Sequence, residues 1–359
     1  MSARFQAGCL PLLIGSLPLK DHAEALDLVL RYTPEIPLWV QLPFYHQEGM
    51  VPQFAPGLPG LTATPQKTWV DSSREDYDSQ LLAFFEEYVT VTDGGASLDK
   101  TRFALTPETA PGFFIFVERI AGFANPPEAL KGQVTGPITF ATGMKDQEGR
   151  ALFYDPQMRE VAVKLLAMKA RWQVEQLSRF KCPVIIFIDE PALAGYGSSE
   201  FISISRADIS ASLNEVAQAI HSAGGLAGVH VCANTDWSLL LESEIDIVNF
   251  DAYAYFERFI LYPEQIKRFL IAGGILAWGI VPTLNPADIE KETAVSLLEQ
   301  WRSKAAAIEA LGIEPSVLRA QSLLTPSCGT GSISLEHARK VLRLTKEIAV
   351  ALRKDESLN

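Results

Sequence analysis

The chain has 359 residues, of which 48% are hydrophobic and 21% charged, so it can bury the core of one sizeable barrel or of two smaller domains. Its formal net charge of −12 includes no block of Lys or Arg, and we therefore exclude nucleic acid and lipid membranes as main partners. The lack of a leader at residues 1–4 and of an apolar run long enough for a membrane span, together with 4 dispersed cysteines, predicts a cytoplasmic protein with free or metal-bound thiols.

Apolar, β-branched runs alternate with amphipathic stretches along the chain, a pattern that is typical of βα units in a parallel sheet. The predicted strands are Leu10–Ile14, Leu38–Leu42, Lys131–Val134, Val184–Ile188, Ala227–Val231, Ile245–Phe250, Ile275–Ile280 and Leu318–Leu323. About eight parallel strands close a barrel. We therefore predict an α/β fold, a single (β/α)8 TIM barrel that comprises residues 1–359 as one domain.

Several helices have recognisable ends in the sequence. Asp155-Pro156 predicts an N-cap and a first-turn proline before the helical pattern from Met158 to Phe180. Gly224-Gly225 predicts the end of the helix that follows Ser205, and Ser334 predicts the start of the last helix.

The stretch from Pro43 to about Gly122 is the least regular part of the chain and is rich in proline. It includes a predicted helix near Tyr77–Tyr88 and a possible strand at Phe113–Val117. A segment of this length between the second and third strands is expected to be an insertion that caps a site.

Polar groups follow most of the predicted strands at their carboxyl ends. In chain order these are Gly15-Ser16, Thr135-Gly136, Asp189-Glu190, His230 with Cys232, Asp251, Thr283 and Cys328. In a parallel barrel the carboxyl ends form the face that holds active sites. These residues are therefore expected to converge, although they are distant in sequence.

His230 and Cys232 are two residues apart at the end of an apolar run, so in a strand both side chains point to the same face. Together they can share one Zn²⁺, and Cys328 and Asp251 are the candidates for its remaining ligands. The alternative interpretation is that a His-x-Cys pair belongs to the core, because cysteine prefers protein interiors.

Asp189 and Glu190 are adjacent carboxylates after a strongly apolar strand, and burying them is costly unless they face a cleft or a partner. We predict a catalytic role for both, against the alternative that they are solvated acids at a strand end. Gly15-Ser16 is either a turn or a segment that offers N–H groups and a hydroxyl to an anionic ligand.

The remaining histidines and cysteines have no companions of this kind in the sequence. Cys9 and Cys182 are interpreted as small buried hydrophobic residues. The four other histidines are predicted to be surface residues; they are His22, His46, His221 and His337.

These motifs resemble a known family. The residues concerned are Ile14–Pro18, Thr135–Pro137, Ile188–Leu193, His230–Cys232, Ile247–Asp251 and Pro326–Gly329, and they are similar in order and spacing to the catalytic half of cobalamin-independent methionine synthase. The resemblance implies a zinc-dependent methyltransferase of methionine biosynthesis on a barrel of the superfamily that also contains uroporphyrinogen decarboxylase.

By this resemblance, His230, Cys232 and Cys328 occupy zinc-ligand positions, and Asp251 stands where the family has a glutamate ligand. Asp189 would hold the amino group of a homocysteine-like acceptor, and Gly15-Ser16 would receive its carboxylate.

The chain departs from the family pattern in ways that concern the substrates. The family's histidine after the seventh strand is replaced within Trp278–Thr283, the family's His-Gly-Glu segment is absent, and so is the additional amino-terminal barrel. His230–Thr235 is also similar to the zinc motif of methylcobamide:coenzyme M methyltransferases. The expected donor is therefore methyltetrahydrofolate or a methylcorrinoid, the latter either free or on a corrinoid protein.

Two alternatives from other functional classes remain open. One is a zinc-free decarboxylase of the uroporphyrinogen type, which needs a cationic floor for acetate groups. The other is a non-catalytic barrel that binds zinc or a thiol, which would hold the metal without turnover.

Overall fold

The structure is a computed structural model, and it describes residues 5–64, 67–196 and 204–356. Its strands are β1 Leu10–Pro11, β2 Leu61–Ala63, β3 Thr68–Val70, β4 Leu130–Thr135, β5 Val184–Asp189, β6 Leu226–Val231, β7 Ile247–Phe250, β8 Ile275–Val281 and β9 Ser322–Pro326. Its helices are α1 His22–Tyr32, α2 Met50–Phe54, α3 Tyr77–Thr92, α4 Pro111–Ala121, α5 Pro137–Gly143, α6 Pro156–Leu177, α7 Arg206–Ser222, α8 Ser238–Leu241, α9 Phe256–Phe259, α10 Pro263–Ile271, α11 Pro286–Lys291, α12 Ala294–Glu309, α13 Pro315–Ala320 and α14 Leu335–Glu356.

The fold is α/β, and its main sheet has 7 strands in the order β1-β9-β8-β7-β6-β5-β4. All neighbouring strands of this sheet pair in parallel. Such a sheet needs crossover connections, and helices supply them along most of the chain. The carboxyl ends of these strands therefore lie at one face, as the sequence predicts.

The two edges of the sheet, β1 and β4, approach the same short segment. Lys131 of β4 donates its N–H to Pro37 O at 3.0 Å, and Leu17, which follows β1, donates to Gln41 O at 3.1 Å. Leu38 forms a parallel bridge with Lys131 of β4, and Gln41 forms one with Ser16, which follows β1. The sheet therefore curls, and the predicted second strand, Leu38–Leu42, is present only as these isolated bridges.

The interior of the curled sheet has an apolar floor. Inward-facing residues of neighbouring strands form this cluster; they include Leu10, Leu12, Ile185, Phe187, Ile247, Ile275, Ala277 and Leu323. Gly228 makes room for it, because a Cβ at that position would lie 2.3 Å from the Phe187 ring. A larger cluster fills the space between the sheet and the helices. The polar residues Asp189 and His230 lie farther along β5 and β6, at or next to their carboxyl ends.

The predicted helix ends are confirmed. The Asp155 carboxylate accepts from Gln157 N and Met158 N, ahead of Pro156. Ser205 Oγ accepts from Asp208 N at the start of α7, and Gly224, with φ of 84°, follows that helix. Ser334 Oγ accepts from His337 N at 3.1 Å, at the start of α14.

Two further predicted strands were wrong, one entirely and one in part. Phe113–Val117 lies in α4, where Pro111 begins the helix and buried Phe113 and Phe116 lie on one face. The predicted eighth strand, Leu318–Leu323, begins too early, since Pro315 starts helix α13 and the strand begins at Ser322.

The Pro43–Gly122 stretch includes α2, the antiparallel pair β2–β3, α3 and α4. The helix predicted at Tyr77–Tyr88 is confirmed and extends to Thr92. In the described part of the chain, no helix is both long and apolar enough to cross a membrane.

Candidate metal centre

The structure brings together His230, Cys232 and Cys328. One ligand atom from each, a ring nitrogen or a sulfur, lies within 4.8 Å of the other two. His230 lies near the end of β6, Cys232 directly follows that strand, and Cys328 follows β9. The imidazole is buried, while both thiols are half-buried.

The two nitrogens of His230 have different surroundings. Nδ1 is hydrogen-bonded to Asn249 Oδ1, whereas the buried Nε2 has no hydrogen-bond partner. An unpartnered buried nitrogen is costly in a folded protein. A metal ion accepts the lone pair of a neutral imidazole nitrogen, so the free Nε2 is a suitable ligand atom.

The electrostatics of the cluster favour a thiolate. The Cys328 thiol and then His230 lower the pKa of Cys232, against the effect of burial. The neighbouring Cys232 sulfur, by favouring a protonated partner, raises the pKa of the Cys328 thiol, and burial raises it further. Burial alone would lower the pKa of His230, but contact with Cys232 and the charge of Asp189 raise it. Two cysteine sulfurs and one imidazole nitrogen are a donor set that fits Zn²⁺.

Asp251 lies close to this group but is not one of the three. It is buried at the end of β7, and its carboxylate accepts from Ala254 N at 2.8 Å. Burial raises the pKa of Asp251 to about 6, and the charge of Cys232 also raises it. Its role as a fourth ligand stays a prediction.

The adjacent carboxylates of Asp189 and Glu190 have separate environments. Burial raises the pKa of Asp189 to about 6, and its Oδ1 has no hydrogen-bond partner. Glu190 instead accepts from Ile138 N at 2.8 Å, Thr139 N at 2.9 Å and Thr139 Oγ1 at 2.6 Å. Glu190 thus caps the N-terminus of α5, whereas the catalytic role predicted for it stays a prediction.

A cavity of about 280 Å³ opens beside the three candidate ligands. Its lining comprises Ile14, Ser16, Gln41, Pro43, Glu48, Gly49, Met50, Thr135, Asp189, Pro191, His230, Cys232, Cys328, Gly329 and Ser332. Of the predicted insertion, residues 43 and 48–50 contribute to the wall. Glu190 is not part of the lining, whereas Asp189 is.

The segment after β1 packs against the segment after β9. Ser16 O accepts from Thr330 N at 3.0 Å, and Ser16 Oγ accepts from Gly331 N at 3.2 Å. A Cβ at Gly329 would lie 2.2 Å from Ser16 Oγ, so this contact requires a glycine. At Gly15, an added Cβ would similarly lie 2.8 Å from Gln41 Oε1, so the glycine leaves space for the Gln41 side chain.

His22 was wrongly predicted to be a surface residue. Its side chain is 12% exposed, and Nε2 lies 2.8 Å from Glu48 Oε1. Glu48 Oε2 accepts from Leu42 N at 2.9 Å, so both carboxylate oxygens of this cavity residue are occupied. The His22–Glu48 pair holds the Pro43–Met50 part of the cavity wall in place. The two residues are 26 positions apart, so only the folded structure shows that they are in contact.

Sequence reasoning also missed two buried polar residues below the cavity. Lys131 is fully buried, donates from Nζ to Ile14 O at 2.5 Å, and has its pKa lowered to about 8 by burial. Asn249, which contacts His230, is also fully buried. Lys131 is four residues before Thr135, and Asn249 is two residues before Asp251. Residues an even number apart in a strand share a face, so this spacing could have indicated that both point inward.

The chain matches no known family model and no curated protein sequence. A B12-independent methionine synthase from Shewanella sp. W3-18-1, in complex with selenomethionine, is 19% identical, with 68% of each chain covered and a TM-score of 0.46. A GH5-4 broad-specificity endoglucanase from Ruminococcus champanellensis, with bound cellotriose, is 11% identical over 73% of this chain and 89% of its own, with a TM-score of 0.30. Because these similarities are remote, the function has to be argued from the residues of the site.

Proposed function

We propose that this chain is a zinc-dependent methyltransferase that transfers a methyl group to a thiol, on a single closed (β/α)8 barrel. The observation that carries the proposal is the buried, unpartnered Nε2 of His230 with two thiols within 4.8 Å, at the wall of a cavity. The motif resemblance to cobalamin-independent methionine synthase supports the same chemistry.

His230, Cys232 and Cys328 would hold the zinc ion, which leaves one position of a tetrahedral site for the acceptor or for Asp251. When bound, zinc would keep the acceptor sulfur as a thiolate at neutral pH, where a free thiol with a pKa of about 8.5 is mostly protonated. The two cysteine thiolates contribute the negative charge that preserves electron density on that sulfur.

The cavity supplies groups that fit a homocysteine-like acceptor. Asp189 Oδ1 is buried without a partner and can accept from the ammonium group of such a thiol. Ser16 lines the same cavity, and we assign the Gly15-Ser16 segment to the acceptor carboxylate. Apolar side chains of the wall, including Ile14, Pro43 and Met50, reduce the access of water.

The transfer is balanced as a displacement at carbon. The acceptor thiol gives up its proton to water, from which the leaving nitrogen regains one when the donor is a folate, and a sulfur lone pair forms the new bond to the methyl carbon. The bond between that carbon and the donor breaks, and the donor leaves with its electron pair. The side chains of the cavity orient the sulfur and exclude competing nucleophiles.

We propose methyltetrahydrofolate or a methylcorrinoid as the donor. The likeness of His230–Thr235 to corrinoid-using enzymes favours the corrinoid. A methylcorrinoid is broad, so it would have to meet the acceptor at the open mouth of the cavity rather than inside it.

The two alternatives make different predictions. A uroporphyrinogen-type decarboxylase needs cations for acetate groups, and the described residues that line this cavity include no Lys or Arg. A non-catalytic barrel would bind zinc and a thiol but would give no methylated product.

The test incubates zinc-loaded protein with methylcobalamin or methyltetrahydrofolate, each with homocysteine and with simpler thiols. Cobalamin demethylation is followed by absorbance and the methylated thiol by mass spectrometry. We expect turnover with methylcobalamin at least as efficient as with the folate. Turnover of the folate alone would reject the corrinoid donor, and no methylated thiol with either donor would reject the methyltransferase.

A further inference from the structure

Asn249 lies between the candidate zinc ligand His230 and the strands behind it. The three positions His230, Asn249 and Ala277 are register partners on β6, β7 and β8. Asn249 and His230 are both buried, and Asn249 is fully so. A polar side chain at this depth needs partners for both its oxygen and its nitrogen.

The partners of Asn249 fix the orientation of its amide. Its Nδ2 donates to Ala277 O at 2.8 Å and to Thr325 Oγ1 at 2.8 Å. Ala277 O can only accept, so the amide atom that faces it must be the nitrogen. The oxygen of Asn249 is consequently the atom that faces His230 Nδ1.

This orientation determines which nitrogen of His230 carries the proton. An amide oxygen only accepts, so Nδ1 must be protonated to bond it. In the neutral ring the lone pair then lies on Nε2, the atom that has no other partner. The Nε2 atom is thereby ready to bind a metal without a tautomer change or a ring flip.

We infer that Asn249 is a positioning residue that holds His230 as an Nε2 metal ligand, with Ala277 O and Thr325 orienting Asn249 in turn. The inference rests on the proposed zinc function and adds to it a residue that sequence reasoning did not select. Groups that orient a metal-binding histidine in this way typically contribute 10- to 100-fold to metal affinity.

The first test measures zinc affinity by competition with a chromophoric chelator. Asn249→Leu, which keeps the approximate volume but removes the acceptor, is expected to weaken zinc binding by about 10- to 100-fold. Asn249→Asp retains an acceptor for Nδ1–H but loses the donor to Ala277 O, so its zinc affinity is expected to lie between those of Asn249→Leu and the wild type. Thr325→Val removes one of two anchors of the amide and should have a smaller effect than Asn249→Leu.

A matched control separates positioning from general destabilisation. Ser322 is also fully buried, lies on the same strand as Thr325, and its Oγ accepts from Trp278 Nε1 at 3.0 Å. Its Oγ also donates to Leu318 O at 2.6 Å, so Ser322→Ala removes two buried hydrogen bonds away from His230 and should leave zinc affinity unchanged. Equal zinc affinities for Asn249→Leu and the wild type would overturn the inference.

The second test does not need zinc. In metal-free protein with 15N-labelled histidine, long-range 1H–15N NMR should show a slowly exchanging proton on Nδ1 of His230, and Asn249→Leu should lose it. A wild-type His230 that carries its proton on Nε2 and none on Nδ1 would overturn the inference. A wild type that shows the Nδ1 proton but binds no zinc would refute the proposed function while supporting the orientation.

Discussion

Substituting Glu190 with Gln tests whether this carboxylate is a helix cap or part of the chemistry. Its two oxygens receive three donors from the first turn of α5, and the side chain is fully buried. Burial raises the pKa of Glu190 from its ordinary value of 4.5 to about 7 in the folded protein. Between these two pH values the folded state binds a proton that the unfolded state has lost, so stability falls as the pH rises from 4.5 to 7.

Each pKa unit corresponds to about 1.4 kcal/mol, so the full shift is worth about 3 kcal/mol. Glu190→Gln has no titrating group and lacks this pH dependence. It also loses acceptors for part of the Thr139 contacts, at a cost of about 1–3 kcal/mol. We therefore expect the variant to be less stable than the wild type at pH 5 and to lose most of this disadvantage at pH 8.

The assay is urea unfolding of chelator-treated protein at both pH values, followed by circular dichroism. The control is Glu160→Gln, because Glu160 is 52% exposed and forms a surface ion pair with Lys164. The quantity compared is the free energy of unfolding of the wild type minus that of Glu190→Gln. If it were the same at pH 5 and pH 8, the assignment of Glu190 as a buried titrating cap would be refuted. Loss of zinc binding in a folded Glu190→Gln protein would also contradict it.

Three further predictions concern neighbouring residues. Asp251→Ala should weaken zinc binding less than Cys232→Ser, because a carboxylate is the least matched zinc ligand of the set. Chelator competition measures both affinities, and a weaker affinity in Asp251→Ala than in Cys232→Ser would contradict this ranking. Asp189→Asn removes one charge-assisted hydrogen bond, so it should raise KM about 10- to 100-fold for homocysteine but little for a thiol without an amino group. Equal changes in KM for both thiols would exclude a contact between Asp189 and the amino group. Gly136→Ala would put a Cβ 2.1 Å from Glu190 Cδ and should cost about 1–3 kcal/mol in urea unfolding, whereas an unchanged midpoint would contradict this packing.

The central strands could be predicted from the sequence because they are buried on both faces and are read as continuous apolar runs. This holds for β4 to β8, whose observed bounds differ from the predicted ones by a few residues at most. The same signal misled at Phe113–Val117, where the run is part of a helix and only Phe113 and Phe116 lie on its buried face. There the first-turn Pro111 decided between helix and strand.

The convergence of His230, Cys232 and Cys328 could be predicted because it depends only on strand direction and on which residues end the strands. The different environments of Asp189 and Glu190 could not be predicted from strand alternation, because β5 ends at Asp189 and Glu190 already precedes the turn at Pro191–Gly195. The contact between Asn249 and His230 could not be predicted either, because it depends on the register of β6 against β7. Register is set by packing across the whole sheet rather than by either strand alone.

The most direct test of the account is the zinc content of protein purified without added zinc. Elemental analysis should give about one equivalent per chain, falling sharply in Cys232→Ser and in Cys328→Ser because each removes a ligand. Cys182→Ser is the matched control, since Cys182 is half-buried and lies outside the group of three. The account predicts full zinc in that control and little in the double variant Cys232→Ser/Cys328→Ser, whereas full zinc in the double variant would contradict it.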